Sequence, residues 1–360
     1  MIKKIALILI ASTLFISGCS MQEERIAQPN ESQKEEDGVA IENNITINVD
    51  SECQTFYGSK KKFQNIKPEY FFDNTKSLKE EWSKELEMKT WTDKNDNYLA
   101  VSVGDIYYTT ASFSYAYENL LYDENGCLRD NFNQICSEKE ISELSKEEVR
   151  TKINSLVEKC EIEVTQQDIY TLDQETLKKL SNLFMSDKEY EEYSSDPTNE
   201  PLKRDFAKED EAYLIVMKPG VGENSLYNKD YEYTNTGYTG SKMFAVVNKE
   251  GMQAFIVNSI YEIDNSKTKT IKVMDKDSAL QKLQTKYSDL ISDSKIECKD
   301  IQLTYVAYTE NIQKGPFQFI PAYVFFVQQE QNSKKEGDTS TKIITKTELL
   351  LDAEKGDWIE

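Results

Sequence analysis

Cys19 is the residue of the chain with the most specific chemical context, because its thiol follows Ile16, Ser17 and Gly18 directly. Two lysines near the start of the chain precede an apolar run that ends at Ile16. A positive start, a short apolar run and small residues are typical of a secretory signal peptide. A run of about a dozen residues is too short to cross the roughly 30 Å hydrocarbon core as a helix. The sequence therefore predicts export.

The residues from Ile16 to Cys19 resemble a bacterial lipobox, in which an aliphatic and two small residues precede a cysteine. In that family of signals the cysteine sulfur receives a diacylglyceryl group, and residues 1–18 are removed. Because two acyl chains anchor stably whereas one binds reversibly, the resemblance implies a lasting membrane anchor. It implies a location on the outer face of the cytoplasmic membrane of a Gram-positive-type bacterium. A plain signal peptide in which Cys19 is incidental is the alternative.

Histidine is absent from the chain, which excludes Ser-His and Cys-His nucleophiles and the common histidine-bearing zinc sites. The 64 carboxylate side chains leave a glycosidase open, since that chemistry needs only two carboxylates facing a cleft. Nearly all of them are expected at the solvated surface. We therefore predict no catalytic residues, no cofactor and no metal site, with a cell-envelope hydrolase as an alternative.

The net charge of -21 bears on the choice of partner. An acidic surface is repelled by the phosphates of nucleic acids. We therefore expect no nucleic-acid partner, and the charge itself is explained most simply as a soluble exterior.

Cysteine spacing leaves the redox state open. The chain has six cysteines, and Cys127 and Cys136 are close enough in sequence to close a small loop. A disulfide there could contribute about 3 kcal/mol, but spacing alone does not fix the distance between the Cα atoms. A disulfide and two free thiols both stay possible.

Composition divides the chain into a leader, a polar tether and two folded domains. The tether is rich in Gln, Glu, Asn and Ser, which favours a solvated segment. A charged stretch that contains Pro197 and Pro201 is expected to carry few core contacts, so it is the best boundary between domains. In order, the parts are the signal peptide 1–18, the tether 19–43, the N-terminal domain 44–195, the linker 196–210 and the C-terminal domain 211–360.

Apolar periodicity predicts helices and strands in both halves. Leu78, Trp82 and Leu86 recur at helical spacing, and Ser145 with Glu148 fits a capping box. The segments predict an α+β fold with antiparallel sheets, helices packed on one face, and two related domains. The predicted elements are a helix over 74–91, a helix from Ser145, a helix after Asp173 that buries Leu177, Leu180, Leu183 and Phe184, a hairpin of 243–247 with 252–263, and a helix over 277–291.

Four tyrosines fall within a polar segment: Tyr227, Tyr231, Tyr233 and Tyr238. A tyrosine on a loop either packs under it or faces a partner, because the ring is apolar and the hydroxyl tolerates water. Both interpretations stay open, and the second predicts a recognition surface.

The last helix and three strands resemble the PepSY-type and YycI-type modules of exported proteins in low-GC Gram-positive bacteria. The resemblance covers about residues 271–359 and rests on Leu303-Thr304-Tyr305, Ile320-Pro321-Ala322-Tyr323 and Leu351-Asp352-Ala353-Glu354-Lys355-Gly356-Asp357. Tyr323 stands where the family usually has tryptophan. With its lipobox and the segment Tyr213 to Ile263, the whole chain is also similar to an uncharacterised family of Firmicutes lipoproteins. Members of the related modules are non-enzymatic, and they restrain proteases or modulate membrane sensor kinases.

Together these observations predict a lipid-anchored extracytoplasmic binding or regulatory protein without catalytic activity. Its expected partners are the membrane, through the diacylglyceryl anchor, and an envelope or membrane protein. A solute-binding lipoprotein is the alternative besides the hydrolase. Solute receptors are usually doubly wound α/β proteins, whereas these strands are predicted as hairpins and meanders.

Overall fold

The structure is a computed structural model of the chain. Residues 16–19, Cys127, Tyr231 and Tyr233 lie outside the residues that it describes, so the predictions made for them stay predictions. No helix in the described part of the chain has the length and apolar character needed to cross a membrane. The described residues are 21–23, 39–41, 52–122, 128–129, 132–196, 202–221, 224–227, 237–288, 295–310, 315–333 and 341–359.

Runs of strands are separated by groups of helices along the chain, and short 3-10 helices lie at Pro68–Tyr70 and Lys208–Asp210. The strands are β1 Met21–Glu23, β2 Val39–Ile41, β3 Glu52–Lys60, β4 Lys79–Ser83, β5 Met88–Thr92, β6 Tyr98–Val101, β7 Ile106–Thr109, β8 Val164–Leu172, β9 Ala212–Val221, β10 Asn224–Ser225, β11 Tyr238–Thr239, β12 Lys242–Asn248, β13 Gly251–Asn258, β14 Tyr261–Lys272, β15 Lys295–Tyr308, β16 Phe317–Ser333, β17 Thr341–Asp352 and β18 Trp358–Ile359. The helices are α1 Ala111–Ala116, α2 Glu118–Leu121, α3 Phe132–Ile135, α4 Lys146–Lys159, α5 Gln174–Phe184, α6 Asp187–Ser195 and α7 Lys276–Ser288.

The chain forms two compact units, and each unit combines distant parts of the sequence. The expected division at 196–210 differs from the structure, because that segment lies inside one unit. Strand β9 after it pairs with β8 before it, and β13 pairs with β7. The larger unit contains the described residues of Gly58–Glu232 and Thr239–Ile263, and the smaller unit contains those of Met1–Tyr57, Tyr233–Tyr238 and Asp264–Glu360.

An antiparallel sheet in the order β10-β9-β12-β13-β7-β6-β5-β4 organises the larger unit. On one face, Ile215 and Phe255 pack with Val149 and Ile153 of α4. The other face packs on α1, α2 and α5, with Leu214 in that second core. Successive residues of a strand point to opposite faces, so the apolar run of β9 supplies both cores. The predicted α+β class with antiparallel sheets is confirmed, and in this unit helices cover both faces of the sheet.

The predicted helix over 74–91 is wrong, because the segment forms the hairpin of β4 and β5. Trp82 pairs with Lys89 across the hairpin, and Trp82 and Leu86 are 57% and 51% exposed. A spacing of four residues fits one helical turn and also two pleats of a strand. The apolar spacing therefore could not separate the two structures.

The smaller unit is built on the strand order β1-β17-β16-β15, and α7 packs on it. Leu280 and Leu283 of α7, which forms the helix predicted over 277–291, share a core with Tyr323 and Phe325 of β16. The Tyr323 hydroxyl donates to the Met274 carbonyl oxygen at 2.7 Å. Because this hydrogen bond gives the hydroxyl a partner, the tyrosine can be fully buried without an unpaired polar group.

Candidate functional site

A shallow groove on the larger unit carries a cluster of exposed apolar side chains. Tyr115, which is 47% exposed, and Phe184, which is 39% exposed, both line the groove, and Leu183, next to Phe184 in the sequence, is 48% exposed. Large exposed apolar side chains that lie together mark interaction surfaces more often than single ones do. We call this site the aromatic groove, and its lining includes Tyr115, Asn119, Phe184, Met185, Leu202 and Arg204.

The first wall of the groove is α1. Thr110 begins the helix, since its side chain accepts a hydrogen bond from the Phe113 backbone N–H at 3.1 Å, which satisfies one of the free donors of a helix start. Phe113 and Ala116 are buried in the core beneath. Tyr115 lies between them in sequence and therefore points away from that core.

The second wall is the end of α5. Asp173 begins this helix and accepts from the Thr176 backbone N–H at 2.8 Å. Leu177 and Leu180 are buried, as predicted. The expectation that Leu183 and Phe184 are buried with them is wrong, because the core ends one turn before the helix does.

Arg204 fixes the end of α5 against the segment that follows α6. Its guanidinium donates to the Met185 carbonyl oxygen at 2.6 Å and to the Ser181 hydroxyl at 3.1 Å. It also lies 4.7 Å from the centroid of the Tyr190 ring. The last carbonyls of a helix lack partners within it, and a cation is favoured there by the helix dipole. Arg204 thus holds one wall of the groove in place.

The segment around residues 202–210 completes the groove and is well packed, although the sequence predicts a linker there. Lys203 forms a salt bridge of 2.6 Å with Asp210, whose side chain is only 13% exposed. The Tyr117 hydroxyl donates to the Asp210 carbonyl oxygen at 2.7 Å, and Phe206 is buried in the core under α5. The charged composition of this segment therefore did not indicate that its residues pack against the rest of the unit.

The groove is suited to binding a protein surface. Aromatic side chains that fill or line a central apolar site supply most of the energy of many protein interfaces. The walls are fixed by Arg204 and by the helix caps, so little ordering is needed on association.

Among the described residues, no carboxyl group has the clearly raised pKa that is typical of a general acid. Among the described carboxyl groups whose pKa departs clearly from its ordinary value, every shift is downward. Hydrogen bonds from Lys89 and Trp91 lower the pKa of Glu80, for example, and those from Ser145 lower that of Glu148. A general acid needs a raised pKa. The described residues also contain no group of three or more Cys, Asp or Glu side chains that could hold a metal ion.

Two of the four tyrosines predicted for recognition are described, and both are packed to some degree. Tyr227 is 7% exposed, so it is not available to a partner. Tyr238 is half-buried, its ring centroid is 5.0 Å from that of Tyr308, and burial raises the pKa of its hydroxyl. The packed alternative holds for Tyr227.

Of the three cysteines for which the sequence predicts a lipid anchor or a disulfide, only Cys136 lies within the described residues. Cys136 is a free thiol in the structure, and burial raises its pKa to about 12. Its expected disulfide partner Cys127 and the lipidation residue Cys19 lie outside the described residues. Both the disulfide and the anchor stay predictions.

Comparison with known proteins supports the fold. No protein-family model matches the chain, and no curated protein matches it significantly. The chain is similar to an uncharacterized protein from Eubacterium rectale of known crystal structure, with a TM-score of 0.61, 14% sequence identity and coverage of 86% of each chain. At this identity the similarity shows the fold alone.

Proposed function

We propose that the chain is a lipid-anchored extracytoplasmic binding or regulatory protein without catalytic activity, and that it binds an envelope or membrane protein through the aromatic groove. The anchor is the diacylglyceryl group expected on Cys19. The observation that carries the proposal is the exposure of Tyr115 and Phe184 on the walls of the groove, with the exposed Leu183 next to Phe184 at the end of α5. These side chains contribute apolar area that a protein partner would remove from water.

The charge of the chain supports a local contact of this kind. At a net charge of -21, the exterior repels other acidic surfaces over about a Debye length. Apolar burial does not depend on charge, so the groove offers attraction where most of the surface does not. The partner is therefore expected to present apolar side chains at the point of contact.

The test is photo-crosslinking in intact membranes, with a photoreactive residue at position 115. We expect one discrete protein adduct, and we expect it to disappear when Leu183→Ser and Phe184→Ser are combined. The matched control combines Trp82→Ser with Leu86→Ser, which changes two more exposed apolar side chains on a hairpin. The adduct should persist in the control.

Two results would count against the proposal. Absence of any adduct, or equal loss in both double variants, would reject the groove as the binding surface. The anchor is tested separately by Cys19→Ser, which should release the chain from the membrane fraction. Unchanged fractionation of that variant would reject the lipid anchor and leave the groove unaffected.

A further inference from the structure

A second cleft on the larger unit has a different chemistry from the aromatic groove. Its volume is about 250 Å³, near the lower end for ligand pockets, which are roughly 300–1,000 Å³. The charged lining residues are Lys61, Lys62, Lys159, Glu161 and Glu262. We call it the lysine cleft.

The three lysines stand out in a chain of net charge -21. None of their side chains forms a salt bridge with another described residue, although carboxylates outnumber basic side chains by 64 to 43. With two glutamates in the same lining, the cleft still has an excess of positive charge. A concentration of like charge in a concave site raises the local potential and attracts the opposite charge.

The backbone fixes Lys61 and Lys62 at the cleft. The Lys61 N–H donates to the Ile260 carbonyl oxygen at 2.8 Å, and its carbonyl oxygen accepts from the Gly104 N–H at 2.8 Å. The backbone of Lys62 forms an isolated antiparallel β-bridge with that of Val103. The backbone at both lysines is thus fixed beside the cleft that the two residues line, and neither side chain forms a salt bridge within the described part of the chain.

The end of α4 and the turn after it also line the cleft. The Glu161 N–H donates to the Glu158 carbonyl oxygen at 2.9 Å, and the Ile162 N–H donates to the Val157 carbonyl oxygen at 3.1 Å. These two bonds form a Schellman motif, whose turning residue is usually glycine. Here it is Glu161, with φ of 55°, a conformation that costs a residue with a side chain roughly 1–2 kcal/mol. Strain of this kind is enriched at functional sites.

Lys159 and Cys160 are part of this lining. The Lys159 ammonium nitrogen lies 5.7 Å from the centroid of the Tyr70 ring, which favours one orientation of this long side chain. Cys160 is 2% exposed, and burial raises the pKa of its thiol to about 12. A protonated, buried thiol is a poor nucleophile, so the cleft is arranged for binding.

We propose that the lysine cleft binds a small ligand that carries a phosphate or carboxylate group. Ammonium groups form charge-assisted hydrogen bonds to both kinds of oxyanion. The amide side chains of Gln64 and Asn65 also line the cleft, and they can donate to or accept from other polar groups of the ligand. The proposal is independent of the lipid anchor and of the aromatic groove.

The test is isothermal titration calorimetry on the full-length protein at constant ionic strength, with inorganic phosphate and citrate as separate probes. We expect saturable binding of at least one probe, and the preferred probe identifies the oxyanion. The variant Lys61→Gln, Lys62→Gln, Lys159→Gln should weaken binding at least about 100-fold, since one charge-assisted bond accounts for roughly tenfold.

The matched control places the same charge change elsewhere on the larger unit, as Lys84→Gln, Lys152→Gln, Lys178→Gln. All three of these lysines are exposed, and their loss should change the affinity by no more than about fivefold, the effect expected of distant surface charges. Equal loss in the two triple variants would overturn the proposal, because it would assign binding to overall charge. Absence of saturable binding of both probes would overturn it as well.

Discussion

The strained turn at Glu161 gives a prediction whose magnitude follows from the structure. Replacing Glu161 by glycine removes the side chain that opposes a φ of 55°, a gain of about 1–2 kcal/mol. The greater conformational freedom of glycine in the unfolded chain reduces this gain in the free energy of unfolding by about 0.4–1 kcal/mol. The Glu161 side chain is exposed, so few contacts are lost. We expect Glu161→Gly to raise the free energy of unfolding by about 0.5–1 kcal/mol.

The assay is urea unfolding of Glu161→Gly beside Glu161→Ala. The alanine variant removes the same carboxylate but keeps a Cβ atom, so its stability should stay within about 0.5 kcal/mol of the original. For a unit of 150–250 residues, the gain in the glycine variant corresponds to a rise in Tm of about 1–4 °C. A glycine variant no more stable than the alanine variant would refute the strain at this position.

Three further predictions concern burial and hydrogen bonding. Leu177→Ala should cost about 2–5 kcal/mol because Leu177 is fully buried, whereas Leu183→Ala on the same helix should cost less than about 1 kcal/mol; equal costs in urea unfolding would contradict the exposed end of α5. Arg204→Met should cost about 2–3 kcal/mol, since charged hydrogen bonds at the end of α5 are lost, and an unchanged unfolding midpoint would contradict that role. Because burial raises the pKa of Cys160 to about 12, only a minute fraction of this thiol is ionised at pH 8. A disulfide reagent should therefore modify it far more slowly in the folded protein than in urea, and equal rates would contradict its burial.

Local signals in the sequence predict local structure well. The capping box at the start of α4 is formed as expected, because the Ser145 side chain accepts from the Glu148 N–H at 3.2 Å and the Glu148 carboxylate accepts from the Ser145 N–H at 3.0 Å. The hairpin of β12 and β13 is also confirmed, with Gly251 at φ of 125°. Each of these depends only on residues a few positions apart.

Pairing between distant strands could not be predicted in the same way. Strand β7 ends at Thr109, which pairs with Ala254 of β13, and no local pattern indicates that neighbour. The expected boundary at 196–210 therefore assigned β7 and β8 to one domain and β9 and β13 to another, although these strands share one sheet. The charged residues that suggested a linker are in part engaged, as Arg204 and Lys203 show.

The candidate sites were missed for a related reason. The lysine cleft combines residues near position 61 with residues near positions 160 and 262, and the sequence alone does not show that they meet. The exposed end of α5 was hidden because Leu183 and Phe184 continue the helical stripe that Leu177 begins. Periodicity predicts which residues share a face of a helix, but it does not predict where the core beneath that face ends.

The end of α5 separates what folding needs from what binding needs. The core beneath α5 contains Leu177 and Leu180, and Arg204 donates to the carbonyl oxygen of Met185, which follows the helix, so neither contact depends on apolar side chains at positions 183 and 184. Polar side chains there would fold as well and would avoid the cost of exposing apolar surface to water. The proposed function gives Leu183 and Phe184 a role, because a partner that covered them would remove their apolar surface from water. The double variant Leu183→Ser, Phe184→Ser should therefore change the free energy of unfolding of the isolated chain by less than about 1 kcal/mol. A larger loss would show that these side chains contribute to folding, and it would contradict the proposal that they form a binding surface.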